Sequence, residues 1–363
     1  MLETALKLLN KIEKHGFKAY IVGGFVRDYI LGRESSDIDI STDATPMDIK
    51  QIFNDIFIPK MNYGSVTVFY HNIRFEITTF RRELSYINNR KPIEFEYISD
   101  LKEDLLRRDF IINTICMNSN GDIIDLLNGR KDINNKEINT VGDSFSKFNE
   151  DSLRILRAVR FATTLNFKLS EEIKTAIKNT KNNLINLSYE RKKEELNKIF
   201  SSPNYKYGIS LLKELELDKE LELYNLNDIT SNADIMGIWA VLNASSKYPF
   251  SKHEKELIST IKEVLKEDNL NDCVLYKYGL YVNTIAGEIK GIKKKEIVNK
   301  YDKLPITCRK DIMISATDIM NILNKKGGLY IKKIYEDITI LILKGKLENK
   351  KEVLEKYIID NYR

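Results

Sequence analysis

Hydrophobic residues change their spacing part-way along this chain. Up to about residue 145, short alternating runs are broken by glycine-bearing turns. Ser65–Tyr70 and Ile73–Phe80 read as two strands turned at His71-Asn72. Ser36–Ile40 reads as another, with Ile38 and Ile40 on one face and Asp37 and Asp39 on the other. Beyond it, apolar residues recur every three or four positions, as at Ile209, Leu212 and Leu215, or Ile334, Ile338 and Ile342, which is the period of helices. The pattern predicts an α+β head over residues 1–145, then an all-α neck (146–205), body (206–270) and tail (271–363). Asn/Asp-rich stretches at 131–136, 225–233 and 266–272 are expected to separate helical groups. No fixed-period repeat is present, which argues against a solenoid.

Composition narrows the class. A chain of 363 residues that is 42% hydrophobic, with only 6 Pro and 16 Gly, is expected to fold into more than one unit. The net charge of +5 is too small to imply a polyanionic partner by itself. Lys290–Lys300 and Lys344–Lys351 read as solvated helix faces, with contact to a phosphate backbone as the alternative. Cys116, Cys273 and Cys308 are odd in number and dispersed, as are His15, His71 and His253, so reduced thiols, a cytoplasmic setting and no zinc site are expected. The first sixteen residues read as a mature helix, and no apolar run reaches the length of about 18 residues that a membrane span needs.

Several segments carry candidate chemistry. Lys18–Gly32 reads as strand, Gly23-Gly24 turn and helix, a turn in which backbone N–H groups can approach a phosphate because no Cβ intervenes. No GxxxxGK[ST] is present, so a P-loop is excluded. Asp37 and Asp39, two residues apart on a strand, offer hard oxygen ligands at a spacing that suits magnesium. On the strand after His71-Asn72, Glu76 shares a face with Arg74 and Thr78. It could complete a carboxylate cluster or pair with Arg74 or Arg81. Arg107-Arg108-Asp109, followed by Asn113, places guanidinium forks beside a carboxylate and an amide, fit for triphosphate and ribose or for a surface ion pair.

Glu150–Phe161 reads as one helix with Glu150 and Asp151 in its first turn. At about 100° per residue, Asp151 and Arg154 stand about 60° apart and Glu150 falls near Arg157, opposite Ile155, Leu156 and Val159. A carboxylate beside a guanidinium is an acceptor beside a donor. It matches the Watson–Crick edge of adenine or cytosine and leaves buried groups unpaired against guanine or uracil. Ordinary helix ion pairing is the alternative.

Val22–Asp28, Asp37-Ile-Asp39, Arg107–Asn113 and Glu150–Arg154, in this order and spacing, closely resemble class II tRNA nucleotidyltransferases of the polymerase beta superfamily. Tyr189-Glu-Arg191, Glu194–Lys198 and the stretch Ile314–Leu347 extend the resemblance over essentially the whole chain. It implies a polymerase beta-like catalytic head on a helical neck, body and tail. Asp37 and Asp39 would hold Mg²⁺, and Gly23, Gly24 and Arg27 would lie along the triphosphate. Arg108, Asp109 and Asn113 would contact phosphates and ribose. Asp151 and Arg154 would template the base, Glu150 would brace Arg154, and Arg157 and Arg160 would lie near base and triphosphate. A flexible loop with Arg82, Tyr86, Arg90 and Pro92 would serve the final adenosine.

The activity so implied is addition of CCA to the 3′ end of tRNA from CTP and ATP, with release of pyrophosphate by a two-metal mechanism. Poly(A) polymerase, a split enzyme adding only CC or only A, and an inactive RNA-binding protein on the same scaffold are the other readings. The chain departs from the family pattern at Leu126-Leu-Asn-Gly129, where Pro-Phe-Gly-Gly is usual, and at Glu83-Leu84-Ser85, where a glycine is frequent.

Overall fold

The computed structural model describes residues 1–35, 37–53, 56–57, 64–87, 91–231, 234–242 and 244–363, with side chains for all of these except 56–57, 84–87 and 91–94. They form two compact units, Met1–Glu222 and Leu223–Arg363. The fold is the expected one, a sheet-bearing head followed by helices. The boundaries expected near 145 and 205 both fall inside the first unit.

Among the described residues, nine strands run between Ala19 and Ile124: β1 (Ala19–Val22), β2 (Asp39–Thr42), β3 (Ile56–Phe57), β4 (Ser65–Tyr70), β5 (Ile73–Thr79), β6 (Arg81–Ile87), β7 (Lys91–Tyr97), β8 (Cys116–Met117) and β9 (Ile123–Ile124). Seven form one mixed sheet in the order β3-β4-β5-β2-β1-β8-β9. The β4–β5 hairpin turns at His71 and Asn72, both at positive φ (50° and 60°), as a two-residue turn that follows the strand twist requires. Ile21, Ile40, Val66, Val68, Phe75 and Ile77 are buried in the sheet, and Leu8, Leu9 and Ile12 are buried on helix α1 (Leu2–Glu13) beside β1.

Helix α2 (Gly24–Ile30) follows β1, and α3 (Pro46–Ile52) starts in a Thr45/Asp48 capping box. Next come α4 (Leu101–Leu106) and α5 (Gly129–Asn135). The expected break at 131–136 is therefore mostly helix, because Asp125 accepts from the N–H groups of Gly129 (2.7 Å) and Arg130 (2.9 Å) and starts α5. That turn is the Leu126–Gly129 departure. It keeps its glycine where a Cβ would meet the Ile111 carbonyl oxygen at 2.8 Å.

Helices α6 (Ser144–Glu150), α7 (Leu153–Leu165), α8 (Glu171–Thr180), α9 (Tyr189–Phe200), α10 (Tyr205–Glu214) and α11 (Leu217–Glu220) complete the unit. This part is not wholly helical, since β10 (Glu137–Ile138) and β11 (Lys168–Leu169) form a short parallel ladder.

In the second unit run α12 (Ile235–Val241), α13 (Lys252–Val264), α14 (Asp272–Ile289, broken at Gly279), α15 (Lys294–Tyr301), α16 (Ala316–Leu323), α17 (Leu329–Leu343) and α18 (Lys351–Tyr362). Ile334, Ile338 and Ile342 are buried together, as their spacing requires. Lys344–Lys350 lies between α17 and α18, so that basic stretch is mostly a connection and not a helix face.

Candidate active site

Strand β1 is followed by Gly23, whose φ of 76° and ψ of −138° suit glycine alone. A Cβ there would stand 3.7 Å from Arg108 Nη1 and 3.9 Å from Asp39 Oδ2, so the turn backbone faces a guanidinium and a carboxylate at once. The β1–β2 register, with Val22 opposite Asp39, sets this juxtaposition.

Ile38 and Ile40 are buried while Asp37 and Asp39 are exposed, in keeping with the alternation. The strand itself begins only at Asp39, so Asp37 precedes it and the expected strand from Ser36 is shorter; Ser36 lies outside the described residues. Parallel pairing of β2 and β5 sets Glu76 opposite Asp39. Although its side chain is open to solvent, Asp39 lies in the wall of a cleft, and partial desolvation there, and next the neighbouring charge of Glu76, push its carboxyl above the ordinary carboxylate range against the pull of Arg108. Arg81 pairs with Glu83 at 2.8 Å, and neither Arg74 nor Arg81 pairs with Glu76.

Among the described residues, no three acidic, imidazole or thiol groups are gathered closely enough to hold one metal ion as a cage. The donor set still fits magnesium, which binds through one or two carboxylates and completes its shell with water and substrate phosphate. Asp37 and Asp39 are hard oxygen donors with no protein hydrogen bond competing for them among the described residues.

The arginines form the opposite wall. Asp104, fully buried on α4, accepts from Arg107 Nε (2.8 Å), Arg108 Nη2 (3.2 Å) and the Arg81 backbone N–H (3.3 Å). Arg108 also donates to Ser41 Oγ at 2.9 Å. Arg27 grips Asp28 with Nε and Nη2 and donates through Nη1 to Asn113 Oδ1 at 2.8 Å. Asn113 donates to Asp109 Oδ1, which also accepts the Phe110 N–H, while Arg157 Nε donates to Asp109 Oδ2 at 2.7 Å. Burial would raise the Asp109 carboxyl, but Arg157 and these hydrogen bonds outweigh it and hold the group down at about 2. The ribose contact implied for Asp109 therefore meets a carboxylate already engaged on both oxygens.

The stretch from Glu150 to Phe161 is not one helix. Glu150 closes α6, Asp151 is extended (φ −143°, ψ 108°), and α7 starts at Leu153. Helical rotation across the break therefore does not apply: Glu150 pairs with Arg154 through a short contact, and Arg157 goes to Asp109. The extended link lets Asp151 accept from the Leu153 N–H at 3.0 Å while Arg191 Nη2 lies 3.5 Å from its other oxygen. Burial raises the Asp151 carboxyl, and Arg191 chiefly opposes it.

These side chains surround a cleft of about 450 Å³. Gly23, Gly24, Arg27, Asp39, Arg108, Asp109, Asn113, Asp151, Arg154, Arg157 and Arg160 all line it. Its lining holds seven arginines against four carboxylates, which gives it the sign a polyphosphate requires. Asp39, Arg107 and Arg108 also line a neighbouring cleft of about 370 Å³ that reaches Glu76, Ser65 and Thr78. Glu150 stands behind Arg154 and outside the lining.

The expected flexible loop starts and ends in the antiparallel strands β6 and β7, with Tyr86 opposite Pro92. Arg82 is exposed, bound to Glu96 and Glu103 and not part of the cleft lining, and Arg90 lies outside the described residues. Residues that sequence reasoning passed over include Asp104, Glu195, which accepts from Arg160 Nε at 2.6 Å, and Phe161. The signal for Asp104 was its spacing of three and four residues to Arg107 and Arg108, which any surface ion pair shares.

Residues 19–139 match the "Poly A polymerase head domain" family, 166–222 the "Probable RNA and SrmB- binding site of polymerase A", and 243–358 the second domain of tRNA nucleotidyltransferases. The CCA-adding enzyme of Bacillus pumilus is 34% identical over 383 residues, covering 98% of this chain and 96% of that one. That of Staphylococcus epidermidis is 33% identical over 387 residues, covering 97% and 96%. The chain belongs to the CCA-adding enzyme family. It is thus a nucleotidyltransferase. In structure it is similar to the Bacillus stearothermophilus CCA-adding enzyme in complex with CTP, with a TM-score of 0.85 and 27% identity, over 99% of this chain and 96% of that one. Residues of the head and of the helices after it line one cleft. Among the described residues no helix is long and apolar enough to cross a membrane.

Proposed function

We propose that this member of the family adds C, C and A in turn to the 3′ end of tRNA, using CTP and ATP. The observation that carries the reading is the joining, in one cleft, of Asp39, an arginine-rich wall and the Asp151–Arg154 pair. The acid, the cations and the acceptor beside a donor match the needs of metal, triphosphate and base.

The acceptor hydroxyl attacks the α-phosphorus, a new P–O bond forms, the bond to the β-phosphate breaks, and pyrophosphate leaves. The hydroxyl proton passes to the Asp39–Glu76 carboxylates, which face each other across β2 and β5. Asp37 and Asp39 would hold Mg²⁺, which supplies charge neutralisation to the attacking and leaving oxygens. Arg27 and Arg108 orient the triphosphate from the Gly23 turn. Asp151 keeps lone pairs for an exocyclic amino group, and Arg154, braced by Glu150 and the Lys147 carbonyl, presents a donor beside it. Guanine and uracil offer a carbonyl next to a ring N–H and would leave both groups unpaired.

The test is extension of tRNA transcripts ending in the discriminator base, C, CC or CCA with each labelled nucleotide. Arrest after CCA supports the reading. Long A-tails would make the chain a poly(A) polymerase, CC-only or A-only products a split enzyme, and no incorporation would overturn it.

A further inference from the structure

Phe161 occupies an unusual position at the wall of the cleft. Three guanidiniums lie over its ring: Arg160 at 4.0 Å from the centroid, Arg27 at 5.1 Å and Arg157 at 5.4 Å. Arg27 comes from the helix after the Gly23 turn, and the other two come from Phe161's own helix. Phe110, fully buried, meets the same ring edge-on at 5.6 Å and 78°, which fixes its plane.

Three cations held so close would repel one another, and burial lowers the proton affinity of both Arg27 and Arg160. The structure offsets this in two ways. Each guanidinium has its own carboxylate: Asp28 for Arg27, Asp109 for Arg157 and Glu195 for Arg160. All three also share one aromatic ring, whose negative π faces attract cations without neutralising them. An acid in that position would bind the arginines more strongly but cancel the charge a triphosphate needs.

We propose that Phe161 is a positioning residue for nucleotide binding, the shared aromatic ring that gathers Arg27, Arg157 and Arg160 into one preformed cationic site for the triphosphate. The inference rests on the proposed function, which assigns the cleft to an incoming nucleotide. Preforming the site removes the cost of bringing the three cations together when the ligand arrives.

The test must separate the ring's electrons from its volume. Phenylalanine bearing one, two and three ring fluorines at position 161 keeps the shape while weakening the π face stepwise. Binding of CTP to the full-length protein is followed by calorimetry, and binding of tRNA by a separate titration. Progressive weakening of CTP binding, reaching about ten-fold with three fluorines, and unchanged tRNA binding support the proposal. As a second arm, Phe161→Leu should raise KM for CTP with a smaller change in kcat, and Phe161→Tyr should restore it. Equal CTP affinity across the fluorinated series would overturn the proposal while leaving the proposed function intact. Absence of CTP binding and of incorporation by the unmodified protein would overturn both.

Discussion

Arg157 reaches from its helix to Asp109, and its Nε donates to Asp109 Oδ2 at 2.7 Å across a separation of 48 residues. The pair ties α7 to the turn after α4, so two walls of the same cleft share one part-buried bond.

Because the folded-state value of Asp109, about 2, lies below its ordinary value of 3.8, the carboxylate contributes stability in full above about pH 4. That contribution is lost as pH falls through about 2, and it is worth roughly 2 kcal/mol. Asp311 and Asp318 are held at about 2 as well and titrate in the same window. The informative quantity is therefore the difference between wild type and Asp109→Asn in urea unfolding, expected to be large at pH 7 and to shrink towards pH 2.

Asp104 should matter more than its ordinary place on a short helix suggests. Asp104→Ala leaves Arg107 and Arg108 without their shared buried partner, a loss on the order of 3–5 kcal/mol. Its release of Arg108 should also weaken CTP binding. Chemical denaturation and calorimetry measure the two effects, and a variant as stable as wild type would show that the arginines find other partners.

The site residues were legible as types and spacings, and their partners were not. Alternation correctly gave Ile38 and Ile40 inside with Asp37 and Asp39 outside, because one residue's slip would reverse the faces. The helix assigned from Glu150 onward failed because periodicity carries no mark for a single extended residue, and Asp151 takes that conformation where α6 hands over to α7. Glu150 still reaches Arg154, four positions on, by closing one helix as the other opens. Phe161 was read past for a different reason: a buried phenylalanine on an amphipathic helix is what any core supplies, and only the positions of three arginines around it distinguish this one.

Base selection gives a further prediction. Asp151→Asn keeps the size but turns part of the acceptor into a donor, so the pair no longer rejects a carbonyl-bearing edge. The kcat/KM preference for CTP over UTP should fall by at least ten-fold, or about 1.4 kcal/mol. Arg191 would also lose its anionic neighbour at 3.5 Å, so the thermal midpoint should be followed in parallel. An unchanged CTP/UTP ratio would remove Asp151 from base reading.

The two glycines of the first turn should respond differently. Gly23 sits at φ 76°, where a side chain costs about 1–3 kcal/mol, whereas Gly24 begins a helix. A Cβ on residue 23 would project between Arg108 Nη1 and Asp39 Oδ2, the space the triphosphate would cross; on residue 24 it would rest 3.5 Å from Arg27 Nη2 in ordinary contact. Gly23→Ala should therefore lower kcat/KM for CTP by about a hundred-fold or more, beyond what its stability loss explains, since both backbone strain and obstruction act at the reacting end. Gly24→Ala should stay within about ten-fold of wild type, with the deficit in KM. If the two variants lost activity equally, the backbone of Gly23 would not be the surface that faces the phosphates, and the triphosphate would have to lie further along the arginine wall.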